Sequence, residues 1–400
     1  MKILYLHQYF TTPNAGGGIR SYMIAKKLLA RNHSVVMITQ SPNYKTPTVV
    51  DVEGIEVHYL PGNYDNKMSK LSKVRSFVSF MFAAIKEGRK VKDVDIVYAT
   101  STPLTIGFPA MVLRSLCHYP YIFEVRDLWP EFPIQIGAIR NPIIIELLRW
   151  FEKTIYLRAE HIVALSPGMK EGVIKTGIAP DKVTMIPNMS KPDVFYPRPV
   201  TDAEQIQWHL DPTKFHVVHF GAIAVANGLE YIIESAKILK EKGNDTIDFI
   251  FLGKGAVQQK LEQMCATYGL SNVHFLGAFS TKDTSAIVNC CQVSITTFRN
   301  LPILWTNSPN KLFDSLSAGK PCVVNSPGWT KQMVEEKECG FYVDNDDPSD
   351  LAEKLLYYME HRDLLQQMGE NARRLSIEVY DQDILTTQVA EVIEKVARKV

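Results

Sequence analysis

No run of about 18 apolar residues occurs in the 400-residue chain, so the sequence offers nothing to span a membrane. Neither sign of charge dominates. The 44 Lys and Arg against 43 Asp and Glu leave a net charge of +1, which gives no global pull toward nucleic acid, and none is expected as a partner. The six cysteines, at 117, 265, 290, 291, 322 and 339, form no Cys-x-x-Cys pair, and they read as reduced, mostly buried thiols of a cytosolic protein. The ten histidines lack metal-ligand spacing, so no zinc is expected. The apolar start, Ile3-Leu-Tyr-Leu6, is too short for a signal peptide. Repeats and low-complexity tracts are absent as well.

What is present is a rhythm. Short apolar runs alternate with helical spacing from Lys2–His7 to Val183–Ile186, and the alternation restarts at Phe215–Phe220. It predicts an α/β fold with parallel sheets wrapped by helices. With 46% apolar residues, the chain can fill full-sized cores in about two to three domains. Four prolines within Pro187–Pro199 interrupt the rhythm and read as an ordered linker. The expected organisation is a doubly wound, Rossmann-like domain over 1–190, a linker over 191–213, and a second such domain over 214–380. A C-terminal helix over 381–400 is able to pack back on the first domain. Two doubly wound domains would face a cleft, with ligands at the carboxyl ends of the strands.

Three groups of residues point to chemistry. Gly221-Ala222 and Gly228 follow a strand, Gly253-Lys254-Gly255 follows the next, and Lys311 and Asp314 sit one helical turn apart after Ser308-Pro309. Glycine lets backbone approach a phosphate, and a helix N-terminus offers free N–H groups, so the set suggests a nucleoside diphosphate. In the first half, Gly16-Gly17-Gly18 lies between strand and helix, with Arg20 placed to add a charge-assisted bond to substrate. This loop lacks the G-x-G-x-x-G spacing of a dinucleotide site. Third, Glu124-Val-Arg126-Asp127-Leu-Trp129-Pro-Glu131 follows a buried strand. Charge beside a tryptophan at a strand end reads as a site, with Asp127 the better carboxylate if Glu124 points into the sheet. The structural alternatives are tight turns and ion pairs that tie loops together. The pairs Asp93/Asp95, Asp344/Asp346 and Asp381/Asp383 read as caps rather than metal ligands. Lys67 to Lys92 holds eight basic residues and one acid, Glu87, around Phe77, Phe80, Met81 and Phe82. Such a helix either lies on anionic lipid or covers the sheet with a solvated face.

Taken together these residues resemble glycosyltransferase family 4, whose fold is GT-B. His7-Gln-Tyr-Phe10, Gly16-Gly-Gly-Ile-Arg-Ser-Tyr22 and Glu124–Glu131 resemble the subgroup of WbuB-type N-acetyl-L-fucosamine transferases of O-antigen and capsule synthesis. The resemblance implies an N-terminal acceptor domain, a C-terminal nucleotide-sugar domain, retention of anomeric configuration and no bound metal or other cofactor. It places Asp314 at the second glutamate of the family's E-x7-E motif, which contacts ribose, with Thr306 where the first would stand. The chain departs from the family at Ala222 and Asn227, where Arg and Lys are usual, and near Arg126-Asp127, where a histidine is usual.

The implied enzyme moves a sugar, N-acetyl-L-fucosamine being one candidate, from a UDP-linked donor to a polyprenyl-diphosphate-linked saccharide at the cytoplasmic membrane face. Asp127, Arg126, Glu124 and Lys311 are the catalytic candidates. Gly17, Gly18, Gly221, Ala222, Lys254, Lys311 and Asp314 are assigned to the donor. Arg20 and Trp129 are assigned to the acceptor, and Lys67–Lys92 to an anionic membrane surface. A GT-B sugar-nucleotide epimerase and a two-lobed binding protein are the alternatives.

Overall fold

A computed structural model of the chain describes residues 1–13, 18–62 and 68–399. Two compact units emerge: Met1–Pro187 with Gln382–Val400, and Asn188–Asp381.

In the first unit the strands are β1 (Lys2–Leu6), β2 (Ser34–Ser41), β3 (Thr48–Val52), β4 (Ile55–Pro61), β5 (Ile96–Thr100), β6 (Tyr121–Val125), β7 (His161–Ala164) and β8 (Val183–Met185). They form one sheet in the order β3-β4-β2-β1-β5-β6-β7-β8. Strands β1, β5 and β6 carry runs of buried residues because helices cover both faces, which is why they read as continuous apolar stretches. All pairings are parallel except β3 with β4. That hairpin departs from the expected all-parallel pattern. It turns at Glu53 and Gly54, both with positive φ (53° and 91°), the conformation a two-residue hairpin loop needs.

The first unit's helices are α1 (Arg20–Ala30), α2 (Lys70–Gly88), α3 (Gly107–Cys117), α4 (Glu131–Gln135), α5 (Pro142–Arg158) and α6 (Pro167–Lys175). Side-chain caps at Ser69, Asn141 and Ser166 start α2, α5 and α6. Proline follows the cap in α5 and α6, where its missing N–H costs nothing. Within α2, Phe80 is buried, Phe77 and Met81 are half-buried, and of these four residues only Phe82 is exposed. Lys67 lies outside the described residues.

The second unit begins with α7 (Asp202–Gln207), inside the stretch expected to be linker. It continues with β9 (Phe215–Phe220), α8 (Glu230–Glu241), β10 (Ile247–Leu252), α9 (Gln258–Tyr268), β11 (Val273–Gly277), α10 (Thr281–Cys290) and β12 (Val293–Thr296). Next come α11 (Asn310–Ser317), β13 (Cys322–Val324), α12 (Trp329–Glu336), β14 (Gly340–Tyr342), α13 (Pro348–Glu360) and α14 (Arg362–Glu378). Its six parallel strands run β11-β10-β9-β12-β13-β14. The order reverses between β9 and β12, and in the first unit between β1 and β5. Such switch points open a crevice at the strands' carboxyl ends.

The last helix, α15 (Gln382–Ala397), belongs to the first unit and packs beside α1. Arg31 grips Glu394 with two hydrogen bonds of 2.7 and 2.8 Å, and His33 adds a third at 2.9 Å. Among the described residues, no helix is long and apolar enough to cross a membrane.

Candidate active site

At the switch point of the second unit, β9 ends on His219-Phe220 and the chain turns at Gly221, with φ of 107°. The next turn, Gly253-Lys254-Gly255, is zipped to it. Gly221 N–H donates to the Leu252 carbonyl (2.8 Å), and Ile223 N–H donates to the Lys254 carbonyl (3.1 Å). A side chain at Gly253 would collide with the Gly221 carbonyl, and one at Gly255 with that of Ile223. These two glycines therefore serve loop-against-loop packing, whereas the sequence suggested a phosphate approach. Asn227 is buried; its Nδ2 donates to the Ala222 carbonyl at 2.5 Å. Ala222 and Lys254 are exposed at the rim.

Over this floor stands the N-terminus of α11. No side chain caps it; the Leu312 N–H donates to the Pro309 carbonyl at 3.1 Å, which leaves the N–H groups of Asn310 and Lys311 to meet an anion. Lys311, in its first turn, stretches back so that its Cε would lie 3.5 Å from a Cβ at Gly221. Its Nζ sits 3.2 Å from His219 Nε2. Burial brings the Lys311 ammonium down to about 7. Burial, then the charge of Lys311, holds His219 well below its ordinary value, so the imidazole is neutral and accepts from the ammonium. A lysine beside an uncapped helix start at a strand end is an arrangement suited to receive an anion.

Asp314 lies on the same helix but is buried. Its carboxylate pairs with Lys191 Nζ at 2.9 and 3.2 Å. Burial raises its pKa and Lys191 opposes the rise. The carboxylate expected to hold ribose is thus already engaged by a lysine the sequence analysis did not single out. Lys191 lies in the proline-rich stretch, 123 residues away, and no local pattern links the two.

In the first unit, the ends of β1, β5 and β6 bring His7, Thr100–Thr102 and Glu124–Asp127 together. Glu124 and Arg20 are both fully enclosed and paired at 2.8 Å. Glu124 also accepts from Tyr98 Oη (2.9 Å) and from Thr100 Oγ1. Arg20 donates further to the carbonyls of Ile186 (3.1 Å) and Pro187. Burial opposes the charge on Glu124, yet the neighbouring guanidiniums and hydrogen bonds hold its pKa below the usual value. This corrects two expectations. Arg20 was expected to reach for substrate, and Glu124 stood among the catalytic candidates. Both instead form a charged bolt between α1, β6 and the end of β8.

Asp127 is different. It is half-buried, accepts from Thr102 Oγ1 at 3.1 Å, and burial pushes its carboxyl above the usual range. Arg126 is half-buried, and among the described residues its guanidinium has no hydrogen-bond partner; its charge and, more strongly, burial keep His7 neutral. His7 Nδ1 sits 2.8 Å from Ser21 Oγ. Trp129 is half-buried, and Gly18 borders α1. Gly17 lies outside the described residues. Among the described residues, no three His, Cys, Asp or Glu side chains are grouped to hold a metal ion.

Residues 15–189 match the model of the glycosyl transferase 4-like domain, and residues 200–375 that of glycosyl transferases group 1. A protein named as a colanic acid biosynthesis glycosyl transferase, WcaI, of Escherichia coli (strain K12) is 22% identical over 83% of this chain and 84% of its own. Among solved structures, sucrose-phosphate synthase from Thermosynechococcus elongatus superposes with a TM-score of 0.81 at 15% identity, covering 100% of both chains. Anabaena HepE in complex with UDP and glucose follows, with a TM-score of 0.74 at 16% identity over 99% of this chain and 100% of that one.

Proposed function

The chain is a glycosyltransferase of the GT-B fold, related to enzymes of bacterial cell-surface polysaccharide synthesis, and from that premise we propose that it is a retaining enzyme using a UDP-linked sugar. The acceptor in this reading is a hydroxyl of a polyprenyl-diphosphate-linked saccharide on the cytoplasmic membrane face, in O-antigen or capsule assembly. N-acetyl-L-fucosamine is a candidate for the transferred sugar. The observation that carries the reading is the Lys311 amine, held over Gly221 at the uncapped start of α11. That is where a leaving diphosphate gains charge.

In the reaction, the bond between the anomeric carbon and the diphosphate oxygen breaks. A bond to the acceptor oxygen forms, and the acceptor gives up its proton. Lys311 and the α11 amides neutralise the departing diphosphate, with Lys254 at the rim; preorganised charge of this kind is usually the largest catalytic term. Gly221 and Ala222 form the floor. Asp314 acts on ribose only by letting go of Lys191, or else holds α11 in place through it. Asp127, made more basic by burial, takes the acceptor proton, with Arg126 and Trp129 orienting the saccharide and Gly17-Gly18 admitting the sugar. The basic segment Lys67–Lys92 supplies charge toward an anionic membrane.

The test is transfer itself. Incubated with UDP-sugars, the protein should release UDP quickly only when a polyprenyl-diphosphate saccharide is present. Release independent of any acceptor overturns the acceptor assignment, and no turnover of any UDP-sugar overturns the donor.

A second measurement reads Lys311 directly. With the free amine near 7, a diphosphate placed beside it raises its affinity for a proton. Binding of UDP at about pH 8 should then draw roughly one proton from solvent, falling toward none near pH 6, where the amine is already charged. Calorimetry in two buffers of different ionisation enthalpy gives the count. Equal heats in both buffers at the higher pH would remove Lys311 from the diphosphate.

A further inference from the structure

Helix α5 is held to its unit by one face only. Glu152, Ile155 and Tyr156 are buried, and Ile155 fills the space beside Gly107 at the start of α3. The opposite face is apolar and bare: Ile143 is 78% exposed, Leu147 59% and Trp150 64%, with Ile144 beside them. Spacings of three, four and seven residues align these side chains in one stripe. Soluble surfaces carry single exposed apolar residues, whereas a contiguous stripe of this size marks something that covers it.

The stripe's charge environment narrows what covers it. Arg140, Arg149, Lys153 and Arg158 are exposed around it, while Glu146 is the only exposed carboxylate of the helix. Glu146 and Glu131 are both paired with Arg149, at 3.2 and 2.8 Å. Burial raises Glu152 to about 8, so it adds little negative charge at neutral pH. The α2, α3 and α5 crossovers step the same way along the sheet, and right-handed connections put all three on one face of it. Phe82 of α2 touches Phe108 of α3, with ring centroids 6.3 Å apart. On α2, Val74, Val78 and Phe82 are exposed as well, among Arg75, Lys86 and Arg89. A second copy of the chain would bring a like-charged rim against this one. An anionic bilayer brings the opposite charge, and its interface favours tryptophan beside aliphatic side chains.

We propose that the α5 stripe is a lipid-docking surface, with Ile143, Ile144, Leu147 and Trp150 entering the interfacial zone of an anionic bilayer. The inference rests on the lipid-linked acceptor reading for its purpose, and it moves the apolar anchor from α2 to α5. Its position serves that purpose. The stripe occupies the first half of α5, the end nearest the carboxyl edge of the sheet. The short connection through Trp129 and α4 joins it to Asp127, and the Arg149–Glu131 ion pair ties α4 to the helix. Docking by α5 would hold the acceptor-side loop at the surface from which a lipid-linked saccharide emerges.

The test uses the full chain with phosphatidylglycerol-containing vesicles bearing brominated acyl chains. Wild-type protein should co-sediment, and its tryptophan fluorescence should be quenched. Trp150→Phe should remove most of the quenching while sedimentation persists. Leu147→Asp should weaken sedimentation about tenfold or more, since a solvent-exposed leucine that enters lipid contributes at least that factor. Both variants should transfer sugar to a short water-soluble acceptor at the wild-type rate. Absence of wild-type sedimentation in low salt overturns the proposal, as does quenching unchanged by Trp150→Phe. So does a dimer, seen by sedimentation velocity, that Leu147→Asp dissolves. Intact docking with no transfer to a lipid-linked acceptor overturns the acceptor reading and leaves the docking surface standing.

Discussion

Lys311→Ala is expected to lower kcat/KM by roughly 30- to 1,000-fold, the equivalent of about 2–4 kcal/mol of transition-state stabilisation. No cationic side chain stands at Ala222 or Asn227, and Asn227 is buried and bonded to the loop itself. Lys311 is therefore the cation nearest the Gly221 floor. Stability should move the other way. Holding an ammonium where its pKa drops to about 7 costs folding free energy. Lys311→Met keeps the side chain's bulk without the charge and should melt at or above the wild-type temperature, the usual exchange of stability for function. Steady-state rates with a saturating acceptor, paired with thermal melts, check both halves. Rates within twofold of wild type would sink the assignment.

Glu124→Ala should act on folding rather than on chemistry. It leaves Arg20 charged in a site with almost no exposure, and it deprives the Tyr98 and Thr100 hydroxyls of their acceptor. Breaking a buried pair from one side typically costs about 3–5 kcal/mol. A double replacement, Arg20→Met with Glu124→Leu, removes both charges and should recover part of that loss. It cannot recover all of it, because the carbonyls of Ile186 and Pro187 lose their donor. Denaturant titration of the three variants tests this. A Glu124→Ala protein as stable as wild type but inactive would return Glu124 to the catalytic candidates.

The pattern of α/β alternation was readable from the sequence because strands buried on both faces are written as unbroken apolar runs, such as Phe249–Leu252. The place of Lys311 at a helix start was readable because such a start is a local signal, Ser-Pro-Asn-Lys, that needs no knowledge of the rest of the fold. The β3–β4 hairpin was not: Glu53 takes the left-handed conformation that sequence patterns reserve for Asn, Asp or Gly. Nor were the partnerships of Arg20 and Asp314. Each joins residues more than a hundred positions apart, and only the packing of the sheets brings them together. Gly253 and Gly255 were noticed for the right reason, close backbone approach, but the partner is a neighbouring loop. The α5 stripe was legible as helical spacing. Its exposure was not, since an apolar face that packs inward and one left bare are spelled alike.

The pairing of α15 with α1 bears on how the chain is made. The first unit is discontinuous: its body ends at Pro187 and its last helix begins at Gln382. On a ribosome adding about 5–20 residues per second, roughly 10–40 s separate the two. Throughout that interval α1 lacks its neighbour, and Arg31 and His33 lack the carboxylate of Glu394. The second unit is contiguous and can close first. Synthesis thus completes the unit that begins the chain only after the other is finished, so a nascent chain released early would carry a folded C-terminal unit and an unlatched N-terminal one.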